Sequence, residues 1–304
     1  MTRARPIAIS IVIPTCNRPA YVQDAVRSAA KAAPPACEII VVNDGDPVDI
    51  PAPDANTIPL RVIPNTRAKG AAGARNCGVD AAQGAWIFFL DDDDLAVPGY
   101  WDHIAQAVLP SLQPTTPAYG FCDFQTFADR DQTTQANASP IQPDTQRTLT
   151  KSHHKLAGLG AGFWVSRATF LAVGGIDENL SVNEDTDFCL TLLGQNALVV
   201  AFASPGVRVF AGVHDGQTQS SVTKATQAAA RAANFDRIAH KHAALLKQDP
   251  GLRNWVFARL VKHHARATPF AWPKALAQLG RGGQAKYGLQ LVLHAIIARL
   301  RAKT

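Results

Sequence analysis

Gly84–Pro98 reads GAWIFFLDDDDLAVP, and this stretch decides the fold. Trp86, Ile87, Phe88, Phe89 and Leu90 are a short apolar run of strand formers, bounded by Gly84 on one side and acids on the other. Such a run fits a strand buried on both faces, as in a parallel sheet. Asp91, Asp92, Asp93 and Asp94 follow at the strand's exit, where open α/β sheets place their ligands. Adjacent carboxylates repel one another, so holding them in one conformation calls for a compensating cation. Oxygen ligands suit Mg²⁺ or Mn²⁺, which commonly bridge to substrate phosphates. A solvated acidic turn is the plain alternative. The buried strand before the acids, and the parts supplied elsewhere in the chain, favour the cation site.

Upstream, Ile7–Ile13 reads as the first strand and Pro14-Thr15-Cys16-Asn17-Arg18-Pro19 as its exit loop. Pro19 suits the first turn of a helix that continues through Tyr21–Ala32. Cys37–Val42 is a second strand ending in Asn43-Asp44-Gly45-Asp46, and strand, helix and strand in this space form a parallel βαβ unit. Leu60–Ile63 is a third strand, and the small-residue helix Lys69–Gln83 delivers the central one. Downstream come a helix at Tyr100–Leu109, a strand at Ala118–Phe127 and a short helix at Arg167–Val173. A helix at Glu184–Leu193 then opens with acids, and two strands follow at Ala197–Phe202 and Gly206–Phe210. Ala128–Thr150 is polar and too long for an ordinary connection, so a mobile loop or surface excursion is expected there.

After Ser220 only helices are expected, at Thr223–Lys247, Leu252–Ala267, Lys274–Leu279 and Tyr287–Arg301. The expected division is therefore an α/β domain over residues 1–217 and a basic helical region over 218–304. The basic excess behind the net charge of +6 is a property of that second region, which carries many Lys, Arg and His and few acids. The region carries no recognised nucleic-acid-binding motif, which argues against nucleic acid as a partner. Five widely spaced cysteines without a CxxC speak against zinc or a disulfide framework and suit a reducing compartment. The opening MTRARPIAISIVIPT resembles a signal peptide only superficially, because Pro14, Asn17 and Arg18 end its apolar run. No apolar stretch reaches the ~18 residues of a membrane span, so no such span is expected, and with the cysteine usage the expected setting is the cytoplasm or the cytoplasmic face of the membrane.

Ile11-Val12-Ile13-Pro14-Thr15-Cys16-Asn17-Arg18, Val41-Val42-Asn43-Asp44-Gly45, Ala74-Arg75-Asn76-Cys77-Gly78, Leu90–Asp94 with Pro98, and Glu184-Asp185 occur in this order. Together they resemble the inverting family 2 glycosyltransferases over about residues 7–215. The resemblance implies the GT-A fold, a Rossmann-like, mostly parallel sheet flanked by helices, here with a helical C-terminal extension. It also implies metal-dependent transfer of a sugar from a nucleoside diphosphate, most simply UDP, to an acceptor hydroxyl, with inversion. A saccharide or lipid-linked acceptor and a place in bacterial surface polysaccharide or glycoconjugate synthesis follow from the same source.

Residue roles carry over position by position. Asp44 would accept the N–H of a uracil-type base, compatibly with an ordinary Asx turn at Asn43-Asp44-Gly45. Pro14, Thr15, Asn17 and Arg75 would face the nucleotide, Asp91 the ribose, and Asp92 the diphosphate. Asp93 would bind Mn²⁺ or Mg²⁺, with His214 as a second metal contact, and Asp94 would cap the next segment. Asp185 would be the general base, with Glu184 and Asp187 next in line. A sugar nucleotidyltransferase would want a Gly-rich loop where Pro14-Thr15-Cys16-Asn17 stands, and a sugar-nucleotide-binding protein without transfer activity would not need Asp185. Tyr287–Arg301 spaces Leu289, Leu293, Ile296, Ile297 and Leu300 along one helical stripe among basic residues. Packing on the catalytic domain is the favoured reading of that stripe. Peripheral docking on an anionic membrane face is the sharper one.

Overall fold

A computed structural model describes residues 8–52, 58–128, 148–212 and 226–267. Strand β1 (Ile9–Thr15) is buried along its whole length, with parallel neighbours on both sides. Helix α1 (Pro19–Ala32) leads to β2 (Cys37–Asn43), which pairs in turn with the parallel strand β3 (Leu60–Pro64). Helix α2 (Ala71–Ala81) leads into β4 (Trp86–Phe89), parallel to β1. Successive side chains of a strand point to opposite faces, and both faces here are covered. Ile11, Ile13, Ile39, Val41 and Phe88 pack with Val22 and Val26 of α1. Val12, Ile40, Val42, Ile87 and Phe89 pack with Ala74 and Val79 of α2. The small residues of α2 have a steric reason. A Cβ on Gly78 would lie 2.4 Å from Val12 Cγ1, so the helix rests almost directly on the sheet.

Past β4 the sheet becomes mixed. The short β5 (Leu95–Ala96) and helix α3 (Tyr100–His103) precede β6 (Ala118–Phe127), β7 (Trp164–Ser166) and helix α4 (Arg167–Ala172). Helix α5 (Glu184–Gly194) and the long β8 (Leu198–Phe210) follow. Strand order is β3-β2-β1-β4-β7-β6-β8-β5, with four parallel pairings and three antiparallel ones, at β4–β7, β6–β7 and β5–β8. Only Leu90–Asp94 separates β4 from β5, although three other strands lie between them in the order, so the sheet curls and the acids cross its end.

Two expectations need correction, and one strand is additional. Ala197–Phe202 and Gly206–Phe210 are one strand, β8, because a register irregularity at Asp123 of β6 lets the pairing continue past Pro205. Proline lacks the N–H of a regular ladder, and a bulge is where a sheet tolerates it. Strand β5 was not foreseen, since two residues show no periodicity. The helix expected at Tyr100–Leu109 is α-helical only to His103, then passes through a π turn (Ile104–Val108) and a 3₁₀ turn (Leu109–Ser111) at Pro110.

Helices α6 (Ala228–Lys241), α7 (Ala243–Gln248) and α8 (Pro250–Ala267) build a further core in which Phe235, Ile238, Leu252, Val256 and Leu260 meet Leu180 and Leu190. The helices expected at Lys274–Leu279 and Tyr287–Arg301, and most of the polar Ala128–Thr150 stretch, lie outside the described residues. Among the described residues no helix is long and apolar enough to cross a membrane.

Candidate active site

A cleft of about 530 Å³ opens at the carboxyl ends of β1, β2 and β4, within the size range of small-molecule sites. Pro14, Thr15, Arg18, Asp44, Arg75, all four acids of Asp91–Asp94, Gly160, Glu184 and Asp185 line it.

The four acids do not act alike. Asp94 N–H donates to the Asp91 carbonyl at 3.2 Å, closing a turn. Carboxylate oxygens of Asp91, Asp93 and Asp94 then lie within 4.8 Å of one another. Asp92 is turned elsewhere: Thr15 Oγ1 donates to it at 2.7 Å and Arg18 pairs with it at 3.0 Å. Arg18 also reaches Asp93 at 3.2 Å. Asp94 accepts the Phe210 N–H at 2.9 Å, fastening the end of β8 to the acids. Burial pushes Asp92 up to about 6, helped by the charge of Asp93 and opposed by Arg18 and Thr15. Asp93 is also pushed up to about 6, by burial and then by Asp91. Asp94 stands well above the usual carboxylate range for the same two reasons. Gly160 makes this crowding possible, because a Cβ there would sit 2.5 Å from Asp91 Oδ2 and 3.2 Å from Asp94 Oδ2.

Arg75, almost fully buried, links the acids to helix α5. Its guanidinium donates to Asp91 at 2.6 Å and to Glu184 at 3.2 Å. Asn183, in the left-handed region at φ 67°, turns the chain into α5 and presents Glu184 and Asp185 to the cleft. Asp185 is pushed up to about 6, first by burial and then by Glu184, against the Thr186 N–H that donates to it at 2.6 Å. Asp187 points away from the cleft, buried against Lys241 at 2.6 Å and His242 at 2.8 Å. That position removes it as a substitute base.

Asp44 accepts from Asn65 Nδ2 at 2.8 Å and from the Gly70 N–H at 2.6 Å, and Asn43 accepts the Gly45 N–H of an Asx turn at 3.0 Å. Asn17 does not line the cleft. Its Oδ1 accepts the Asp46 N–H at 2.7 Å and ties together the loops after β1 and β2. His214 lies outside the described residues. The sequence reading assigned no role to Arg18, Asn65 or Gly160. Arg18 had a local signal, as the cation of the loop facing four acids, whereas Asn65 and Gly160 had none.

Residues 10–166 match the family model described as Glycosyl transferase family 2, which spans more than half of the chain. The chain belongs to that family. The matched residues end before Glu184-Asp185. A Haemophilus influenzae protein named as a glycosyltransferase is 29% identical over 189 residues, 61% of this chain and 62% of that protein. The succinoglycan biosynthesis protein ExoU of Rhizobium meliloti is 33% identical over 138 residues, 40% of each chain. The chain thus spans less than two thirds of the length of these relatives. In structure it resembles S. aureus TarS, solved in complex with UDP-GlcNAc, with a TM-score of 0.60, 15% identity, and coverage of 91% of this chain and 83% of TarS. That likeness bears on the fold, a mixed curled sheet flanked by helices.

Proposed function

We propose that the protein transfers a sugar from a nucleoside diphosphate, UDP in the simplest case, to an acceptor hydroxyl with inversion, using a divalent cation. One observation carries this reading: Arg75 spans the interval between the acid cluster and the first turn of α5, so the acids read as the cation site and the carboxylate read as the general base line one cleft. TarS with UDP-GlcNAc or UDP bound supports the donor class, and ExoU supports a place in surface polysaccharide synthesis.

Asp91, Asp93 and Asp94 fit Mg²⁺ or Mn²⁺: they offer hard oxygen donors, clustered together, whose mutual repulsion and burial favour a compensating charge. When bound there, the cation would hold the diphosphate and neutralise charge on the leaving nucleotide. The protein's own groups supply the rest. Asp44 retains lone pairs beyond those used by Asn65 and Gly70 and can accept from the nucleobase. Arg75 keeps Asp91 and Glu184 at fixed separation. Asp185 takes the proton of the acceptor hydroxyl as its oxygen attacks the anomeric carbon, and burial has already raised its basicity.

The division at residue 217, the cytoplasmic setting and peripheral membrane contact through the last helices belong to the same proposal. A nucleotidyltransferase or a non-catalytic binding protein remains the competing class. The test is release of UDP from a panel of UDP-sugars with and without an acceptor, in Mn²⁺ and in excess EDTA. Acceptor-stimulated release that EDTA abolishes is expected. Full activity in EDTA, or nucleotide binding without turnover for any donor and acceptor pair, would contradict the proposal.

A further inference from the structure

Donors from the C-terminal helices converge on the segment that carries Asp185. Asn234 of α6, 8% exposed, donates through Nδ2 to the Val182 carbonyl at 2.8 Å and to Ser181 Oγ at 3.3 Å. Arg237, one turn later, donates to the Asn179 carbonyl at 2.8 Å. Lys241 and His242 close on the two carboxylate oxygens of Asp187, and Lys241 also lies 3.9 Å from Asp177. The grip therefore falls on both sides of Asp185, three residues before it and two after it. Between the two points lies Asn183, whose left-handed backbone is a conformation that surrounding structure must hold in place. Neither Asn234, Lys241 nor His242 lines the cleft.

A purely structural account would have these bonds anchor α6 to the body of the protein. Apolar packing already does that, through Phe235 and Ile238 against Leu180 and Leu190. The polar contacts are different in placement: they gather on the turn that aims Asp185, and the buried Asp187 carboxylate needs its Lys241 and His242 partners because leaving it without them is costly.

We propose that Asn234 and Lys241, with His242, are positioning residues for sugar transfer, holding the Val182–Asp187 turn so that Asp185 faces the acceptor oxygen. The C-terminal helices thereby complete the acceptor half of the site. This inference rests on Asp185 as the base. Misplacing a catalytic group by about 1 Å can cost as much as ~10²-fold in rate.

The test uses the full-length protein carrying Asn234→Ala or Lys241→Ala, each in the wild-type and the Asp185→Asn backgrounds. Transfer kinetics and calorimetric UDP binding in Mn²⁺ are both measured. Val256→Ala, in the apolar core beneath α6 and making none of these bonds, controls for lost stability. The expected result is a kcat reduced by about 10-fold with UDP affinity within about twofold of wild type, and recovery in Lys241→Arg. In the Asp185→Asn background the same changes should cost nothing further, because they act through Asp185. A kcat loss no larger than that of Val256→Ala, or an equal loss in both backgrounds, would overturn the inference. Should Asn234→Ala fail to fold, Lys241→Ala carries the test, since that side chain is 39% exposed. An inactive Asp185→Asn beside unaffected Asn234→Ala and Lys241→Ala would overturn this inference alone. Near wild-type transfer by Asp185→Asn would overturn the base assignment with it.

Discussion

On one side of the cleft, Thr15, Arg18, Asp44 and Asp91–Asp94 sit at the ends of strands and hold one another through charge and short hydrogen bonds. On the other, Asp185 sits at the start of a helix whose orientation depends on Arg75 and on residues of α6 some fifty positions away in sequence. The first side is crowded with like charge, which the proposed cation would relieve. The second is held by the Arg75–Glu184 pair and by the bonds that Asn234, Lys241 and His242 make to the segment around Asp185. Substitutions on the two sides should therefore fail in different ways.

The largest separation between the sides is expected from Asp185→Asn, which keeps the shape and removes the basicity. Transfer should fall by ~10²-fold or more while nucleotide affinity is kept. Next comes pH. Asp185, pushed up to about 6, must be ionised to act, so transfer should fall ~10-fold per unit below that value. With Mn²⁺ saturating, so that the acid cluster stays ionised, Asp185→Asn should lose this limb. A wild-type rate independent of pH between about 5 and about 7 would remove Asp185 from the mechanism.

The smallest effect concerns stability. Asp92 and Asp93 titrate near 6 in the folded state, above the usual range of about 3.9 for an unfolded Asp. A raised folded pKa gives stability that is complete below the unfolded value and is lost as pH rises through about 6. In EDTA the melting temperature should therefore drop by a few degrees between about pH 5 and about pH 7.5, and Mn²⁺ should restore more at the higher pH. A melting temperature indifferent to Mn²⁺ at both values would separate the acid cluster from cation binding.

The sequence made the acid side readable because its signals are local. Trp86–Leu90 reads as a buried strand from its strand formers, its length and the flanking Gly84 and acids, and βαβ connectivity then puts Pro14–Arg18 and Asp44 at the same end of the sheet. It did not show that Asp92 parts company with its neighbours, since that depends on the turn closed by Asp94 N–H on the Asp91 carbonyl and on where Arg18 lies. Pro205 looked like the end of a strand because the bulge that accommodates it lies on β6, more than eighty residues earlier. On the other side, the acidic start of α5 was readable from Glu184, Asp185 and Asp187. Their division of labour was not, because nothing near Asp187 in sequence announces Lys241 and His242 as its partners.

The proposed transferase has two separable chemical halves sharing one cleft. The most direct test of that division is calorimetric UDP binding in Mn²⁺, paired with transfer rates, for Asp93→Ala and Asp185→Asn side by side. Asp93→Ala is expected to lose both Mn²⁺-dependent binding and transfer, and Asp185→Asn to lose transfer alone. Parallel loss of binding in Asp185→Asn, or Mn²⁺-dependent binding retained in Asp93→Ala, would contradict it.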